Sequence, residues 1–391
     1  MKSNRYIRLG SARRSLRFLK LLVVVAILAP ALANEKPLLL LEDGAWSLPF
    51  LKSGAAPDLT NARFYIPAPI PYGESSIDYA HSGYYSPFSK QMHNSWHQRH
   101  WLGTDGLGRD VLSQLIYGCQ TALWVGLGAV SIALLIGLFI GGISAVLGDD
   151  QLKYSRLRIG LMSLIVLFSI GLLIVLPPYQ VETASWLEVL SLLGFCLLLS
   201  LLLFGLSHWL LIKWEKKAKP TLKPLALDLY LNRLVEVIES LPLILLILAL
   251  SSLLQGGLAS LILVIGLSSW TGIAKMFRAE ILRAKEMGYV ESGRALGFKD
   301  ARLLMVHMLP NALPPILVKV SFGVAAVILI EASFSFLGLG LSAEEASWGA
   351  LLAESRNNFE AWWIALFPGL AIFFTLLACN KVGDALSNSR K

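Results

Sequence analysis

Charged residues are scarce in this chain. They make up 15% of its 391 residues, against about a quarter in a typical soluble domain, while hydrophobic residues make up 55%. A chain of this composition stays dispersed in water only if most of its apolar surface lies in lipid. The scarcity of charge therefore excludes an ordinary soluble protein and favours a membrane protein.

Other absences narrow the function. The pattern Gly-x-x-x-x-Gly-Lys-Ser/Thr, whose loop cradles ATP phosphates, does not occur. No nucleophile with a matching base and orienting group can be argued from the sequence, so we expect no catalytic residue. The three cysteines, Cys119, Cys196 and Cys379, are scattered through apolar segments and predict no disulfide framework.

Eight apolar segments have the length, near 20 residues, that a helix needs to cross a bilayer of about 30 Å. None shows the period-two alternation of a barrel strand, which predicts an all-α polytopic membrane protein. Gly137-x-x-x-Gly141 in the second segment either gives that helix a small-residue face for close helix packing or reflects only the frequency of glycine in membrane helices, and both interpretations stay open. The segments are 18–33 (the shortest), 121–147, 157–176, 186–212, 234–254, 258–276, 316–339 and 362–382.

In the two tails and the short loops, lysine and arginine residues are concentrated on one side of these segments. They cluster before the first segment, after the second, fourth and sixth, and at the end of the chain. The opposite loops 177–185 and 255–257 have none, and 342–361 has only Arg356. The positive-inside rule then makes both termini and the loop after the sixth segment cytoplasmic. The formal net charge of +8 is thus a topology signal, and we expect no nucleic-acid binding.

The first segment fits two interpretations. Its arginine-rich start, short apolar core and Ala31-Leu32-Ala33 suit a cleavable signal peptide as well as a retained membrane anchor. Either interpretation leaves the second helix running from outside to inside.

Residues 34–118 form the one sizeable aqueous region, rich in proline, glycine and aromatic residues. We expect an extracytoplasmic loop region with little regular structure before His100. In its last part, Gly106 and Gly108 permit a tight turn, across which Asp105 and Arg109 pair.

The spacing of His93, His97 and His100 in this region raises the question of a metal site. No carboxylate or cysteine accompanies them at a useful spacing. We therefore expect solvated loop histidines and no metal site.

The segment 287–315 is polar and basic and lies between two apolar stretches. Good helix formers around Glu291 predict a surface helix over 289–296, with Gly297 as its left-handed stop and Pro310 closing the next turn. This segment resembles the EAA loop of ABC-importer permeases, a cytoplasmic helix–turn–helix that docks into a cleft of the ATPase subunit. Ser292 and Gly293 stand where the family has alanines, and both are small enough for close packing.

The end of the same segment also resembles the family. His307 stands where most members have isoleucine, and His307-Met-Leu-Pro-Asn311 is the form that the peptide-importer branch shows. The resemblance implies a set of residues that couple the subunit to its ATPase: Glu291, Ser292, Gly293, Gly297, His307, Leu309, Pro310 and Asn311.

Further motifs extend the resemblance over 32–146 and 228–385. Residues 101–111, Trp-Leu-Gly-Thr-Asp-Gly-Leu-Gly-Arg-Asp-Val, resemble the peptide and nickel branch, and residues 32–38 resemble the end of a retained first helix. Glu331 opens a stretch similar to the family's E-x-x-L-S-F-L-G-L-G. As an intramembrane carboxylate it is a candidate polar site, and a buried structural role and a substrate contact both stay open.

The resemblance implies a type I ABC-importer permease fold with an irregular extracytoplasmic loop. Between the two matching parts, an extra two-helix insertion interrupts that fold. The expected organisation is a basic tail and first helix over 1–33, the extracytoplasmic region over 34–118, and a permease core over 119–385. That core contains the inserted hairpin 156–212 and the cytoplasmic coupling loop 277–315.

The implied function is that of a permease subunit in the inner membrane, importing di- or oligopeptides. Its implied partners are a second permease subunit, two cytoplasmic ATPases that bind the ATP, and an extracytoplasmic solute-binding protein, so the chain needs no cofactor of its own. Relatives of this build also import nickel complexes, sugars and peptide antibiotics. A secondary transporter and a non-transporting membrane scaffold protein remain alternatives, although each leaves the docking motif without a use.

Overall fold

A computed structural model describes residues 2–42, 45–51, 57, 63–91, 96–147, 153–155, 222–224, 227–251, 257–299, 302–342 and 345–388. The described residues are mostly helical. In chain order the helices are α1 (Lys2–Leu32), α2 (Val111–Leu147), α3 (Leu227–Glu239), α4 (Leu243–Ser251), α5 (Leu258–Ser268), α6 (Thr271–Lys285), α7 (Gly288–Ala295), α8 (Leu309–Phe336), α9 (Trp348–Glu354) and α10 (Trp362–Asn388).

Within these ranges, four helices are long and apolar enough to cross a membrane. They are Ala12–Leu32, Val111–Val146, Leu303–Phe336 and Trp362–Asn388. The pair α3 and α4 and the pair α5 and α6 pass the same test only jointly, since each pair is bent at a short break, by 42° between α5 and α6. Counting each pair as one span gives six. Six of the eight predicted segments correspond to these spans, and 157–176 and 186–212 lie outside the described residues.

Helix α2 begins earlier than predicted. Its first residue is Val111, ahead of the predicted boundaries at 119 and 121. Asp110 caps the helix, because its Oδ2 accepts a hydrogen bond from the Ser113 amide at 2.7 Å. The first turns carry too few apolar residues to stand out by hydropathy, so the helix extends out of the apolar segment into the aqueous region.

Of the two interpretations of the glycines in α2, the structure supports close helix packing. A Cβ atom added at Gly137 would lie 2.8 Å from the Ile273 side chain, and one at Gly141 would overlap the Ala274 carbonyl oxygen. On the opposite helix, a Cβ at Gly266 would lie 2.8 Å from Ile132. These glycines let α2 approach α5 and α6 to backbone contact, the arrangement that small residues permit between membrane helices.

The region 34–118 contains a few short elements of regular structure. Three short strands, β1 (Leu39–Glu42), β2 (Ala45–Ser47) and β3 (Phe64–Ile66), form an antiparallel sheet in the order β2-β1-β3. Three 3₁₀ turns follow the strands or lie among them, at Pro49–Leu51, Tyr79–His81 and Trp96–Gln98. The strands are too short for their alternation to stand out in the sequence, and they are compatible with the expectation of little regular structure before His100.

The chain divides into two compact units, Ile143–Glu236 and the remainder. In the smaller unit, β4 (Lys153–Ser155) and β5 (Leu222–Pro224) pair antiparallel, with Ser155 opposite Leu222. The described residues on either side of the predicted insertion therefore lie side by side. The Ser144 hydroxyl donates a hydrogen bond to Asp228 within the same unit.

Candidate functional site

The predicted coupling segment folds as a short helix with a tight stop. Helix α7 is followed by Gly297 at φ +77°, as expected for a left-handed stop. The Gly297 amide donates to the Arg294 carbonyl at 2.9 Å, and the Phe298 amide donates to the Gly293 carbonyl at 3.0 Å. These two bonds together are the Schellman motif, which satisfies carbonyls at the end of a helix and turns the chain sharply.

The segment has two arms, α7 and the helical stretch that begins at Leu303, and Gly293 lets them pack closely. Gly293 is buried, and a Cβ atom at this position would lie 2.6 Å from Cδ2 of Leu303 on the second arm. Ser292 is exposed, and its hydroxyl donates to the Gly288 carbonyl at 2.8 Å. Ser292 and Gly293 stand where the family has alanines. Of the two, only Gly293 needs to be small for packing.

The second arm is helical from its start. A π-helical turn, Leu303–Met308, leads directly into α8, and Pro310 lies in the first turn of that helix. The prediction that Pro310 closes a turn was therefore wrong, because a proline is tolerated at a helix start, where its missing N–H is not needed. His307 stacks on Phe298 with ring centroids 6.2 Å apart, and the Asn311 side chain donates to the His307 carbonyl at 2.8 Å.

Both arms expose apolar side chains. Leu296 is 73% exposed and Met305 61%, and Met287, Tyr289 and Val306 are also exposed. Glu291 and Pro310 lie on the same exposed segment, whereas Leu309 is half-buried. Apolar side chains clustered on a helix–turn–helix otherwise rich in charge are typical of a docking surface.

Glu331 is buried, as expected for an intramembrane carboxylate. It is 1% exposed, and the Ser335 hydroxyl donates to its Oε1 at 2.8 Å. Nearby, a Cβ atom at Gly349 would overlap the Ala332 carbonyl oxygen, so α9 rests directly on α8 at this level. This setting favours the structural role of Glu331 over a substrate contact.

A cavity of about 480 Å³ lies among the helices of the larger unit. Its lining is largely apolar, with Lys319 of α8, Glu239 and Ser269 among its polar residues. Glu239 forms an ion pair with Lys275. Among the described residues, the Ser269 hydroxyl is the buried side-chain polar atom without a hydrogen-bond partner. The sequence analysis missed Lys319, although a charged residue inside an apolar segment is the signal that marks such positions.

The last part of the region 34–118 is held by several side-chain bonds. Arg109 Nε donates to Asp105 Oδ2 at 2.7 Å, which confirms the predicted pair. The Trp363 indole donates to the Thr104 carbonyl at 3.1 Å. The Tyr84 hydroxyl donates to Glu354 at 2.8 Å, and burial followed by this bond raises the pKa of Tyr84 to about 12.

His100 is not the solvated loop residue that the sequence suggested. It is fully buried, with Nδ1 at 2.9 Å from Asp110 Oδ1 and Nε2 at 3.3 Å from Asp78 Oδ2. Asp78 also bonds to His81. Burial opposes ionisation of Asp78, but its contacts with His81 and His100 outweigh it and lower the pKa of this carboxyl group below its ordinary value. His97 lies outside this cluster, and His93 lies outside the described residues.

Comparison with known proteins agrees with these features. Residues 221–388 match a family described as "binding-protein-dependent transport system inner membrane component". A peptide transport system permease protein of Brucella suis biovar 1 is 29% identical over 288 residues, covering 73% of this chain and 71% of that protein. The dipeptide transport system permease protein DppC of Bacillus subtilis is 26% identical over 292 residues, covering 74% of this chain and 68% of that protein. The inner membrane ABC transporter permease protein YejE of Escherichia coli is 25% identical over 385 residues, covering 93% of this chain and 88% of that protein.

Proposed function

We propose that this chain, whose residues 221–388 match the family of binding-protein-dependent transport system inner membrane components, imports di- or oligopeptides. It is a multi-pass permease subunit of an ABC transporter. The substrate class is supported by the relatives, whose names describe peptide and dipeptide permeases. The energy comes from partner ATPases, because the sequence has no phosphate-binding loop of its own.

The observation that carries this proposal is the folded coupling segment. Helix α7, the Gly297 stop and the start of α8 form a compact unit that exposes Leu296 and Met305. In a cytoplasmic setting this surface suits a cleft on an ATPase, with Glu291 as a polar contact at its edge. The other proposed coupling residues shape it: Gly293 lets the two arms pack against each other, Ser292 and Asn311 each bond within their own arm, and Pro310 lies in the first turn of the outgoing helix.

The coupling surface is continuous with a membrane-spanning helix. The helical path Leu303–Phe336 contains 34 residues, which corresponds to a length of about 51 Å at 1.5 Å per residue. It passes Lys319 in the cavity wall and reaches Glu331, where α9 rests on α8. A displacement at Met305 by the ATPase would therefore act on the same helical path that lines the cavity.

The complete importer would contain a second, related permease, two cytoplasmic ATPases and an extracytoplasmic solute-binding protein. The chain would lie in the inner membrane with both termini cytoplasmic, as its lysine and arginine distribution predicts. ATP-driven closure of the ATPases would switch the cavity between outward- and inward-facing states. The cavity, with its apolar wall and few polar groups, is the part of this subunit that we assign to the peptide path.

The test is peptide uptake by the reconstituted complex, combined with a docking variant. Proteoliposomes containing both permeases and the ATPases should accumulate labelled di- or tripeptides only with ATP inside and loaded binding protein outside. Leu296→Asp should abolish co-purification of the ATPases, because a charge then replaces an apolar contact.

The matched control is Phe359→Asp. Phe359 is 89% exposed and lies, by the predicted topology, on the opposite side of the membrane. The Phe359→Asp variant should leave co-purification of the ATPases unchanged. Uptake without ATP would contradict the proposed energy source, and intact ATPase binding by Leu296→Asp would contradict the proposed docking surface.

A further inference from the structure

Asp78, His81 and His100 form a compact cluster at the outer end of α2. Asp78 caps the 3₁₀ turn Tyr79–His81, so its carboxylate and His81 Nδ1 lie 2.9 Å apart. His100 Nε2 approaches the same oxygen, Asp78 Oδ2, to 3.3 Å. One nitrogen from each histidine and one carboxylate oxygen thus lie within 4.8 Å of one another, and both histidines are at most 1% exposed.

His100 places both of its ring nitrogens against carboxylate groups. Its two ring nitrogens each face a carboxylate, Nδ1 that of Asp110 and Nε2 that of Asp78. A neutral imidazole has one N–H, so only one of these contacts is then a hydrogen bond and the other sets two lone pairs against each other. Either a second proton or a metal ion must lie between Nε2 and Asp78.

Asp110 indicates which nitrogen carries the imidazole proton. Its Oδ2 already accepts the Ser113 amide at the start of α2, which fixes the carboxylate in position, and its Oδ1 lies 2.9 Å from His100 Nδ1. The proton on Nδ1 then bonds to Asp110, and the lone pair of Nε2 is directed towards Asp78. A histidine held by a carboxylate at its far nitrogen is the arrangement found behind most metal-binding histidines.

The spacing of the donor atoms suits zinc. Bonds of about 2.0–2.1 Å in a tetrahedral site place neighbouring ligand atoms about 3.3–3.4 Å apart. The two separations from Asp78 Oδ2, 2.9 Å and 3.3 Å, are close to that value, and the two histidine nitrogens lie within 4.8 Å of each other. Two imidazoles with one carboxylate favour zinc over magnesium or calcium, which take oxygen ligands. We propose that Asp78, His81 and His100 bind a zinc ion, with Asp110 as the positioning residue for His100.

Such an ion would link the turn at 78–81 to the segment that leads into α2. Asp78 and His81 come from one turn, whereas His100 lies directly before the segment that enters α2. Existing contacts already shape the site: Tyr72 stacks on His100 at 4.3 Å between ring centroids, and Thr104 Oγ1 donates to the His81 carbonyl at 2.8 Å. With three protein ligands, a water molecule would complete the coordination. The zinc is expected to hold the structure together.

The test is zinc binding by the purified full-length chain, after chelation and then titration with Zn²⁺ against a chromophoric competitor. The wild type should bind one zinc per chain. His81→Gln and His100→Gln should lose this site, and Asp110→Asn should weaken it by about 10- to 100-fold. His97→Gln, a neighbouring histidine outside the cluster, should bind like the wild type. If the wild type binds no more zinc than His100→Gln, the proposal is wrong and a proton occupies the position.

A second measurement uses only the wild type, in case the histidine variants do not fold. X-ray absorption at the zinc edge should show nitrogen and oxygen ligands with the scattering pattern of two imidazoles. A spectrum without imidazole, or with sulfur ligands, would overturn the assignment. Neither measurement involves ATP, peptide or partner subunits, so its failure is distinguishable from failure of the proposed transport function.

Discussion

Replacing Gly297 by valine tests the coupling segment without creating a clash. The residue has φ +77°, and a Cβ atom there would meet nothing within 4 Å. The whole cost is therefore conformational, roughly 1–2 kcal/mol for a non-glycine residue in the left-handed region. One to two kcal/mol corresponds to a factor of roughly 5–30 in the population of the turn.

Loss of this turn would release both hydrogen bonds of the Schellman motif, from the amides of Gly297 and Phe298. Helix α7 would then no longer hold its angle to the π-helical turn that begins the second arm. We expect Gly297→Val to lose most of the substrate-stimulated ATP hydrolysis. Glu291→Ala should have a milder effect, because it removes an exposed polar contact and leaves the fold of the segment intact.

The assay is ATP hydrolysis by the reconstituted complex, with and without loaded binding protein. Gly288→Val is the matched control, since Gly288 also has open space around it but begins α7 without a positive φ. Gly297→Asn should recover much of the activity, because asparagine tolerates the left-handed conformation. Unaltered stimulation in an intact Gly297→Val complex would show that this segment is not the coupling element.

Four further predictions address topology, the insertion, helix packing and the cavity. In intact cells, an impermeant thiol reagent should label Ser75→Cys and not Leu296→Cys, and labelling of the latter would reverse the proposed orientation. Deleting 156–221 and joining Ser155 to Leu222 through Asn-Gly should preserve membrane insertion and some transport, because β4 and β5 already bring Ser155 and Leu222 together. Exposure of Leu296→Cys to the outside after this deletion would instead make the inserted hairpin part of the core. Gly141→Leu should destabilise the detergent-solubilised chain by about 1–3 kcal/mol through overpacking, while Gly369→Leu, which meets open space, should not; equal melting shifts would argue against close packing of α2. Lys319→Gln should raise KM for peptides with a free terminal carboxylate more than for amidated peptides, and equal changes would remove Lys319 from substrate recognition.

The coupling segment was predictable almost to the residue because its structure is local. The stop at Gly297 depends on bonds between residues three to five positions apart, and a glycine after a run of helix formers indicates that geometry directly. The membrane spans are similarly local, since length and apolarity alone define them. Pro310 was misassigned because a proline that ends one turn and a proline that begins a helix look alike in sequence.

The cluster around His100 shows why the remaining features could not be predicted. His93 and His97 lie beside His100 in the sequence and suggested a solvated loop, but the burial of His100 depends on residues that pack from elsewhere. One of its carboxylate partners lies 22 positions away, and the bond from Trp363 that closes the same region spans 259 positions. No periodicity or spacing rule connects such positions in a single sequence. Asp110 shows the same limit at short range, because it caps α2 and bonds to His100 at once, and only the first of these roles follows from the residues next to it.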